Sequence, residues 1–262
     1  LVDLGETPLE AWLSGARVLD RDAAHPRLAL DGVQLLQPIL RPGKILAIGL
    51  NYAAHAAESV SFTNLPGEGV QKWFNKQATA ANAPYAPVHL PKVSDQLDYE
   101  GELVVVIGRH GRHVPAERAM EIVAGFAVGC DYSVRDWQKA SPTMIMGKGF
   151  DTHAPFGPWI VTPDEVADLA HLSIRTWVSG ELRQEGTAGR MIHTIPQQIA
   201  HLTAAFTLEP GDVLFTGTPA GVGAGHDPPR FLKIGDRVRV EIDGIGAIEN
   251  QIIAEPGGTR IG

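Results

Sequence analysis

Three acidic side chains have the type and spacing of a divalent-metal site. Glu100 and Glu102 lead directly into the apolar run Leu103–Ile107, and in an extended strand they would project from one face about 7 Å apart. Acids that enter a strand buried on both faces must be paired or metal-bound, whereas acids at an exposed strand end would only be solvated. A third acid, Asp131, ends another apolar run. Such hard oxygen ligands suit Mg²⁺ or Mn²⁺ better than zinc.

A cation and an amide follow the third acid closely. Arg135 lies four residues after Asp131, and Gln138 lies three residues after Arg135, a spacing compatible with one face of a helical turn. The same spacing is also typical of a structural ion pair between Arg135 and Asp131. Lys148 stands between two glycines, which suits a lysine that points into a pocket, although exposed turns have the same pattern.

A histidine and a glutamate offer acid–base chemistry near the start of the chain. His55 and Glu58 follow the strand-like run Ile45–Leu50 and are one helical turn apart. The carboxylate could orient the imidazole as a general base. The alternative is a solvent-facing pair on a short helix.

These residues lie on a chain that reads as many short strands. Apolar runs of strand length recur, and turn residues separate most of them; they are Ile45–Leu50, Leu103–Ile107, Phe126–Cys130, Trp159–Thr162, Leu172–Val178, Val213–Thr216, Arg237–Ile242 and Ala247–Ile253. Strong helical periodicity occurs only at Pro115–Val123 and His193–Phe206. Strands and helices do not alternate regularly, which argues against a doubly wound sheet or an α/β barrel. We predict a β-rich α+β fold, with a small N-terminal extension over 1–42 and a catalytic domain over 43–262.

Composition excludes several classes of protein. The 262 residues include 30 Asp or Glu and 22 Lys or Arg, a formal charge of −8, which argues against nucleic-acid binding. No apolar run approaches the roughly 20 residues of a membrane span. The single cysteine and the absence of a basic, apolar leader predict a cytoplasmic protein. The glycine-rich segment Gly221–Gly225 lacks the lysine of a nucleotide-binding loop, so we interpret it as a flexible turn or a backbone nest.

An ordered set of motifs extends over roughly residues 40 to 255. It comprises Gly49–Tyr52 with His55 and Glu58, Asp98–Leu103, Asp131 with Arg135 and Gln138, Gly147–Asp151, Gly157–Trp159, Pro210–Val213, Thr216–Pro219 and Gly244–Gly246. In this order the motifs resemble the fumarylacetoacetate hydrolase family.

The resemblance implies a mixed β-sandwich roll with a few short helices, usually a homodimer. It implies a divalent metal, Mg²⁺ or Mn²⁺, held by the positions that match Glu100, Glu102 and Asp131. It also implies that His55 and Glu58 form a catalytic dyad, on a segment that often orders over the substrate. The positions that match Lys148, Arg135, Gln138 and Thr218 are expected to contact the substrate, and Tyr52 in the first motif is expected to join them.

The expected reaction is hydrolysis of a C–C bond in an acylpyruvate or related diketo acid, which releases pyruvate or a similar oxo acid. A metal would stabilise the enolate, Lys148 would help to hold its charge, and His55 would deprotonate water. The same scaffold offers an alternative, oxaloacetate decarboxylation or isomerisation of a hydroxy-dienedioate. The presence of both dyad residues favours hydrolysis or decarboxylation over simple tautomerisation. A catalytically silent metal-binding scaffold is the more distant alternative.

Several positions depart from the family pattern. Phe74-Asn75-Lys76-Gln77 stands where many members have a lysine followed directly by proline, and His153, His193 and His201 stand where aromatic or aliphatic residues are frequent. These departures concern the pocket for the distal part of the substrate rather than the metal chemistry.

Overall fold

A computed structural model describes residues 9–13, 28–59, 69–259 and 261 of the chain. Within these ranges the strands, numbered β1 to β14 in chain order, are Ile45–Gly49, Lys72–Lys76, Ala81–Asn82, Val88–Leu90, Leu97–Asp98, Gly101–Ile107, Val123–Cys130, Ser133–Val134, Ala154–Val161, Ser173–Val178, Glu181–Thr187, Val213–Phe215, Arg237–Ile242 and Gly246–Ala254. The α-helices, α1 to α5, are Leu9–Leu13, Ala53–Ser59, Arg135–Ala140, Ile145–Lys148 and Ile195–Ala205. Short 3-10 helices join them at Leu30–Gly32, Ala78–Ala80, Ala116–Ile122, Pro163–Glu165, Leu169–His171, Ala188–Arg190 and Gly223–Gly225.

Two sheets form the frame. The larger sheet has the strand order β2-β1-β12-β6-β7-β9-β3, in which β1 and β12 run parallel and β12, β6 and β7 are antiparallel neighbours. The second sheet has the order β11-β10-β13-β14-β4, and a short pair joins β5 to β8. The sheets contact each other mainly through β14 against β9 and β7, and through β10 and β13 against β6 and β7. The predicted β-rich mixed sandwich with few short helices is therefore confirmed.

Strand β6 is buried on both faces, as its continuous apolar run predicts. Leu103, Val105 and Ile107 face a core shared with the second sheet. Val104 and Val106 face a smaller core on the opposite side of the larger sheet. The acids at the start of β6 are thus carried into the interior between two packed layers.

Most predicted elements are found, with differences at their ends. The helix predicted over 193–206 is α5, which starts after Thr194 with a capping box. The segment predicted as a helix over 115–123 is a 3-10 helix, Ala116–Ile122, rather than an α-helix. Strand β2 was not predicted, because its sequence Lys72–Lys76 carries lysines at both ends.

Part of the predicted N-terminal extension packs against the larger sheet. Ile39 is fully buried in the smaller core, and Leu9 in α1 packs against the same cluster. The rest of the stretch 1–27 lies outside the described residues, so the boundary at residue 42 stays a prediction. Among the described residues, no helix combines the length and apolar content that a membrane span requires.

One histidine is buried within this frame as a neutral group. His153 is fully buried, its Nε2 donates to the carbonyl of His89 at 2.8 Å, and its ring stacks on Phe150. Burial lowers the pKa of His153 from 6.5 to about 3. The folded protein therefore binds fewer protons at this site than the unfolded chain once the pH falls below about 6.5.

We expect the free energy of unfolding to fall as the pH drops from about 6.5 towards 3, by up to about 1.4 kcal/mol per pH unit from this group alone. His153→Phe should flatten the slope, even if the lost hydrogen bond lowers stability at every pH. Urea titrations between pH 5 and pH 7 measure the slope, with the exposed His110→Gln as the matched control. An unchanged slope in His153→Phe would show that His153 is not the group responsible.

Candidate active site

The three acids meet where β6 begins and β7 ends. Antiparallel pairing aligns Gly101 with Cys130, and the amide of Asp131 donates to the carbonyl of Glu100 at 2.8 Å. The carboxylate groups of Glu100, Glu102 and Asp131 are all buried, and one oxygen from each lies within 4.8 Å of the others. Pairing of the two strands thus brings together acids that are 31 positions apart in the sequence.

Buried cations surround the three acids. Lys148 Nζ lies 2.7 Å from Glu100 Oε2 and 2.7 Å from Asp131 Oδ2. Arg135 Nη1 lies 2.7 Å from Glu100 Oε1. Lys76 Nζ donates to Asp131 Oδ1 and to the carbonyl of Tyr132. Glu102 instead accepts a hydrogen bond from the amide of Gly217 at 2.6 Å.

These contacts divide the acids electrostatically. Burial alone would raise the pKa of Glu100, but Lys148 and Arg135 outweigh it and hold that pKa well below the usual range. Burial raises the pKa of Glu102 well above its ordinary value, and the nearby Asp131 and Glu100 raise it further. Glu102 is therefore the acid whose charge the chain itself compensates least.

The donor set fits a hard divalent cation. Three buried carboxylates with oxygens this close together are the ligands that Mg²⁺ and Mn²⁺ prefer. A dication beside Glu102 would supply the positive charge that this carboxylate lacks. The structure thus brings together the three acids that the sequence predicts as metal ligands.

Two short helices place the other polar groups. Arg135 begins α3, and its Nη1 also donates to Gln138 Oε1 at 2.9 Å. Helix α4 packs directly on α3 at Gly147, where a Cβ atom would lie 2.2 Å from the backbone nitrogen of Gln138. Lys148, the next residue, is thereby directed at the acids. This close approach explains why the lysine follows a glycine.

The expectation of a helical face shared by Asp131, Arg135 and Gln138 is wrong. Helix α3 starts only at Arg135, and Asp131 precedes the short strand β8. The Nε of Arg135 donates to Asp98 Oδ2 at 2.8 Å, and its ion pairs in the structure are with Asp98 and Glu100. The alternative of an ion pair between Arg135 and Asp131 is also wrong, because Asp131 forms its ion pairs with Lys76 and Lys148.

The histidine and the glutamate form a close pair on α2. His55 Nδ1 lies 2.7 Å from Glu58 Oε1, and the imidazole is buried. The amide of Asn51 just before α2 is fixed on both sides, because its Nδ2 donates to Thr216 O and its Oδ1 accepts from His193 N. These bonds hold the start of the helix beside the strands that carry the acids. The alternative of a solvent-facing pair is not what the structure shows.

One narrow cavity joins these groups. Its volume is about 20 Å³, room for about one water molecule. Its polar lining comprises His55, Glu100, Glu102, Arg135, Gln138, Lys148 and Thr218, and its apolar lining includes Ile48, Leu50, Phe74 and Met144. Larger surface grooves exist elsewhere on the molecule, but this cavity is the one that contains the predicted chemistry.

Two of the residues predicted to contact substrate, Thr218 and Tyr52, are less open to the cavity than the others. The Thr218 hydroxyl donates to Gly101 O and accepts from Gln184 Nε2, so its contribution to the cavity wall already has structural partners. Tyr52 is buried outside the cavity lining. Burial raises the pKa of Tyr52, and the charge of Glu102 raises it further. Tyr52 therefore stands behind a predicted metal ligand, and a role in contacting substrate stays a prediction.

Sequence reasoning missed three residues of the site. Lys76 stands in the segment that departs from the family pattern, and its side chain is fully buried and bonded to Asp131. Asp98 and Asn51 stand within the family motifs, but the motifs alone assign them no role. No local pattern pairs Lys76 with Asp131, because the two residues are 55 positions apart.

The opposite environments of two neighbouring acids make a paired prediction. Glu102→Gln should raise the free energy of unfolding of the metal-free protein at pH 7 by about 1 kcal/mol or more, because it removes a carboxyl whose pKa is raised by folding. A carboxyl whose pKa is raised by folding contributes to the free energy of unfolding at low pH, and this contribution is lost as the pH rises. Glu100→Gln should instead lower the free energy by about 3 kcal/mol, because Lys148 and Arg135 lose their charged partner.

Both substitutions should weaken Mn²⁺ binding more than about 100-fold, since each removes a proposed ligand. Thermal melts in a chelator and Mn²⁺ titrations followed by electron paramagnetic resonance measure the two effects. The exposed Glu117→Gln serves as control. Equal destabilisation by Glu100→Gln and Glu102→Gln would contradict the assigned electrostatics, and unchanged Mn²⁺ affinity would contradict the metal site.

Comparisons with known proteins identify the family of the chain. Residues 44–253 match the family model of the fumarylacetoacetate (FAA) hydrolase C-terminal domain. The mitochondrial oxaloacetate tautomerase fahd2 of Xenopus laevis is 40% identical over 254 residues, which cover 96% of this chain and 77% of that protein. The oxaloacetate tautomerase YisK of Bacillus subtilis strain 168 is 40% identical over 225 residues, covering 86% and 74%.

Solved structures show the same fold. A fumarylacetoacetate hydrolase from Exiguobacterium antarcticum superposes with a TM-score of 0.84 at 39% identity, over 94% of this chain and 88% of that one. The 2-hydroxyhepta-2,4-diene-1,7-dioate isomerase of Mycobacterium marinum superposes with a TM-score of 0.75 at 36% identity, over 88% and 81%. Together with the matched family model, these likenesses establish that the chain belongs to the fumarylacetoacetate hydrolase family.

Proposed function

We propose that the protein is a Mg²⁺- or Mn²⁺-dependent enzyme that interconverts the enol and keto forms of a short 2-oxo dicarboxylic acid such as oxaloacetate. The observation that carries the proposal is that His55, whose Nδ1 lies 2.7 Å from Glu58 Oε1, lines one narrow cavity together with Glu100 and Glu102 of the proposed metal site. A proton-transferring group and a charge-stabilising group at one small cavity are what such a tautomerisation needs.

When bound, the divalent cation would supply Lewis-acid stabilisation of negative charge on the substrate oxygens. Lys148, already directed at Glu100 and Asp131, would add a second positive charge beside the developing enolate. Arg135 and Gln138 would orient a substrate carboxylate.

His55 would move the proton. Its Nδ1 is held by Glu58 at 2.7 Å, so the opposite ring nitrogen, Nε2, is the one directed to exchange protons with the substrate. In the ketonisation direction, His55 Nε2 would take the proton of the enol hydroxyl, and the resulting imidazolium would give that proton to C3. The sum leaves the atoms and charge of the substrate unchanged.

The relatives support the proton-transfer alternative better than the hydrolase prediction. Two relatives at 40% identity are named as oxaloacetate tautomerases, and one structural neighbour is named as a dienedioate isomerase. The dyad, from which the sequence favoured hydrolysis or decarboxylation, serves tautomerisation equally well, because that reaction also needs a positioned base.

Hydrolysis of an acylpyruvate is the second candidate. A base in the position of His55 could deprotonate water instead of carbon, and a structural neighbour is named as a fumarylacetoacetate hydrolase. Incubation of the protein and Mg²⁺ with acylpyruvates, oxaloacetate and hydroxy-dienedioates in ¹⁸O-labelled water separates the reactions. Label in a carboxylic acid product indicates hydrolysis, release of carbon dioxide indicates decarboxylation, and loss of the enol signal without either indicates tautomerisation.

The main test follows the enol form of oxaloacetate by ultraviolet absorption. We expect the protein with Mg²⁺ or Mn²⁺ to accelerate ketonisation at least about tenfold, and a chelator to remove the acceleration. His55→Ala should lower kcat by about 10²- to 10⁴-fold, the usual contribution of a general base. Mn²⁺ affinity should stay within about twofold, because His55 is not a proposed ligand.

Glu58→Gln should lower kcat less than His55→Ala, since it weakens the orientation of the base without removing it. The exposed His110→Gln should match the unmodified protein. No acceleration of ketonisation with either metal would overturn the proposal, and full activity in His55→Ala would remove the dyad from it.

The substrate class, a 2-oxo or diketo acid, is part of the same proposal. The homodimer and the cytoplasmic location expected from the sequence also stay predictions. Light scattering of the purified protein tests whether it is a dimer. A catalytically silent scaffold would show no turnover on any member of the substrate panel.

A further inference from the structure

The glycine loop, defined as Gly221–Gly225, holds the carboxylate of the dyad. The amide of Gly221 donates to both carboxylate oxygens of Glu58, at 3.1 Å and 3.0 Å. Gly225 leaves the space that this carboxylate occupies, because a Cβ atom there would lie 2.7 Å from Glu58 Oε2. Glu58 is thus fixed by His55 on one side and by the loop on the other.

The same loop holds a second carboxylate. The amides of Gly223 and Ala224 donate to the two oxygens of Asp98, at 2.7 Å and 2.9 Å. Asp98 is fully buried, and its Oδ2 also accepts from Arg135 Nε at 2.8 Å. A Cβ atom on Gly223 would lie 2.6 Å from Asp98 Oδ1. Successive main-chain amides therefore form a nest for a carboxylate that in turn holds the arginine of the site.

The loop is itself anchored from behind. The hydroxyl of Tyr99 donates to Gly221 O at 3.0 Å, and the amide of Arg230 donates to Gly223 O at 2.8 Å. Gly221 has φ +104°, and a Cβ atom there would lie 2.0 Å from Arg183 O. The loop amides are consequently held pointing at the two carboxylates. A loop with side chains at positions 221, 223 and 225 could not adopt this conformation.

We propose that the glycine loop and Asp98 form one positioning unit, which sets the place of the proton-transferring dyad relative to the substrate-binding arginine. Gly221 acts through Glu58, and Asp98 acts through Arg135. The amides that bind the two carboxylates are only two positions apart, at Gly221 and Gly223. One rigid loop therefore fixes the positions of both the dyad and the arginine. This inference rests on the proposed function, because it assigns the loop to the same reaction.

The proposal separates two kinetic effects. Gly225→Ala presses on the end of the flexible Glu58 side chain and not on the backbone, so the fold should persist while the dyad is displaced. Asp98→Asn removes the negative charge that holds Arg135, and it turns an amide group towards the loop amides. The first change should act on kcat, and the second should act on KM.

The test compares Gly225→Ala and Asp98→Asn with Gly32→Ala, in which the new Cβ atom meets nothing within 4 Å. With enol oxaloacetate and Mn²⁺, Gly225→Ala should lower kcat about tenfold or more with KM and Mn²⁺ affinity within about twofold. Asp98→Asn should raise KM about tenfold or more with a smaller change in kcat. Gly32→Ala should match the unmodified protein.

A second measurement needs no turnover. The ¹⁵N spectrum of His55 should show the Nδ1–H tautomer in the unmodified protein, because Glu58 accepts that proton, and a mixture of tautomers in Gly225→Ala. If Asp98→Asn does not fold, Arg135→Lys, which keeps the charge and lacks the Nε donor, should reproduce its rise in KM. Absence of turnover in the unmodified protein would contradict the proposed function, while the tautomer spectrum would still decide on the loop.

The proposal fails if Gly225→Ala keeps both the kcat and the His55 spectrum of the unmodified protein. It also fails if Gly225→Ala and Asp98→Asn lower kcat and raise KM in the same proportion, since that is the result of general loosening rather than of positioning.

Discussion

The compensation of buried charge governs this molecule. Three carboxylates are carried into the interior by the start of β6 and the end of β7, where unpaired charges would cost several kcal/mol each. Two lysines and an arginine from separate elements converge on two of these acids. Strand β2, helix α3 and helix α4 must therefore pack where their cations can reach, and the close contact at Gly147 follows from that requirement.

The compensation of charge among the three acids is uneven. Glu100 and Asp131 have cationic partners, whereas Glu102 has a backbone amide and two acidic neighbours. A fold selected only for stability would replace such a group with a neutral one. Under the proposed function, Glu102 would attract a dication, and the substrate would meet a centre whose charges the protein already orients.

Much of the site was predictable because local rules govern it. The spacing of Glu100 and Glu102, the apolar run after them and the His55–Glu58 interval are properties of short segments. The partners of these residues were not predictable in the same way. Lys76 meets Asp131 across 55 positions, and Gly221 meets Glu58 across 163. For Arg135, local spacing leads to the wrong partner. Its carboxylate partners are Asp98 in β5 and Glu100 just before β6, and not the nearby Asp131.

The position of β12 has a consequence for how the protein reaches its folded state. This strand, Val213–Phe215, lies between β1 and β6 in the larger sheet, and Ile45 of β1 pairs with Val213. Strands β1 and β6 therefore each gain their second neighbour in the sheet only when β12 pairs with them. The pairing of β12 with β1 and β6 closes long loops of the chain, and contacts between residues so far apart in sequence slow folding. During synthesis, the acids on β6 and the dyad after β1 must wait for residues near 215 to emerge. The cavity lined by His55, Glu102 and Thr218 is thus completed only after the residues near 218 have been synthesised.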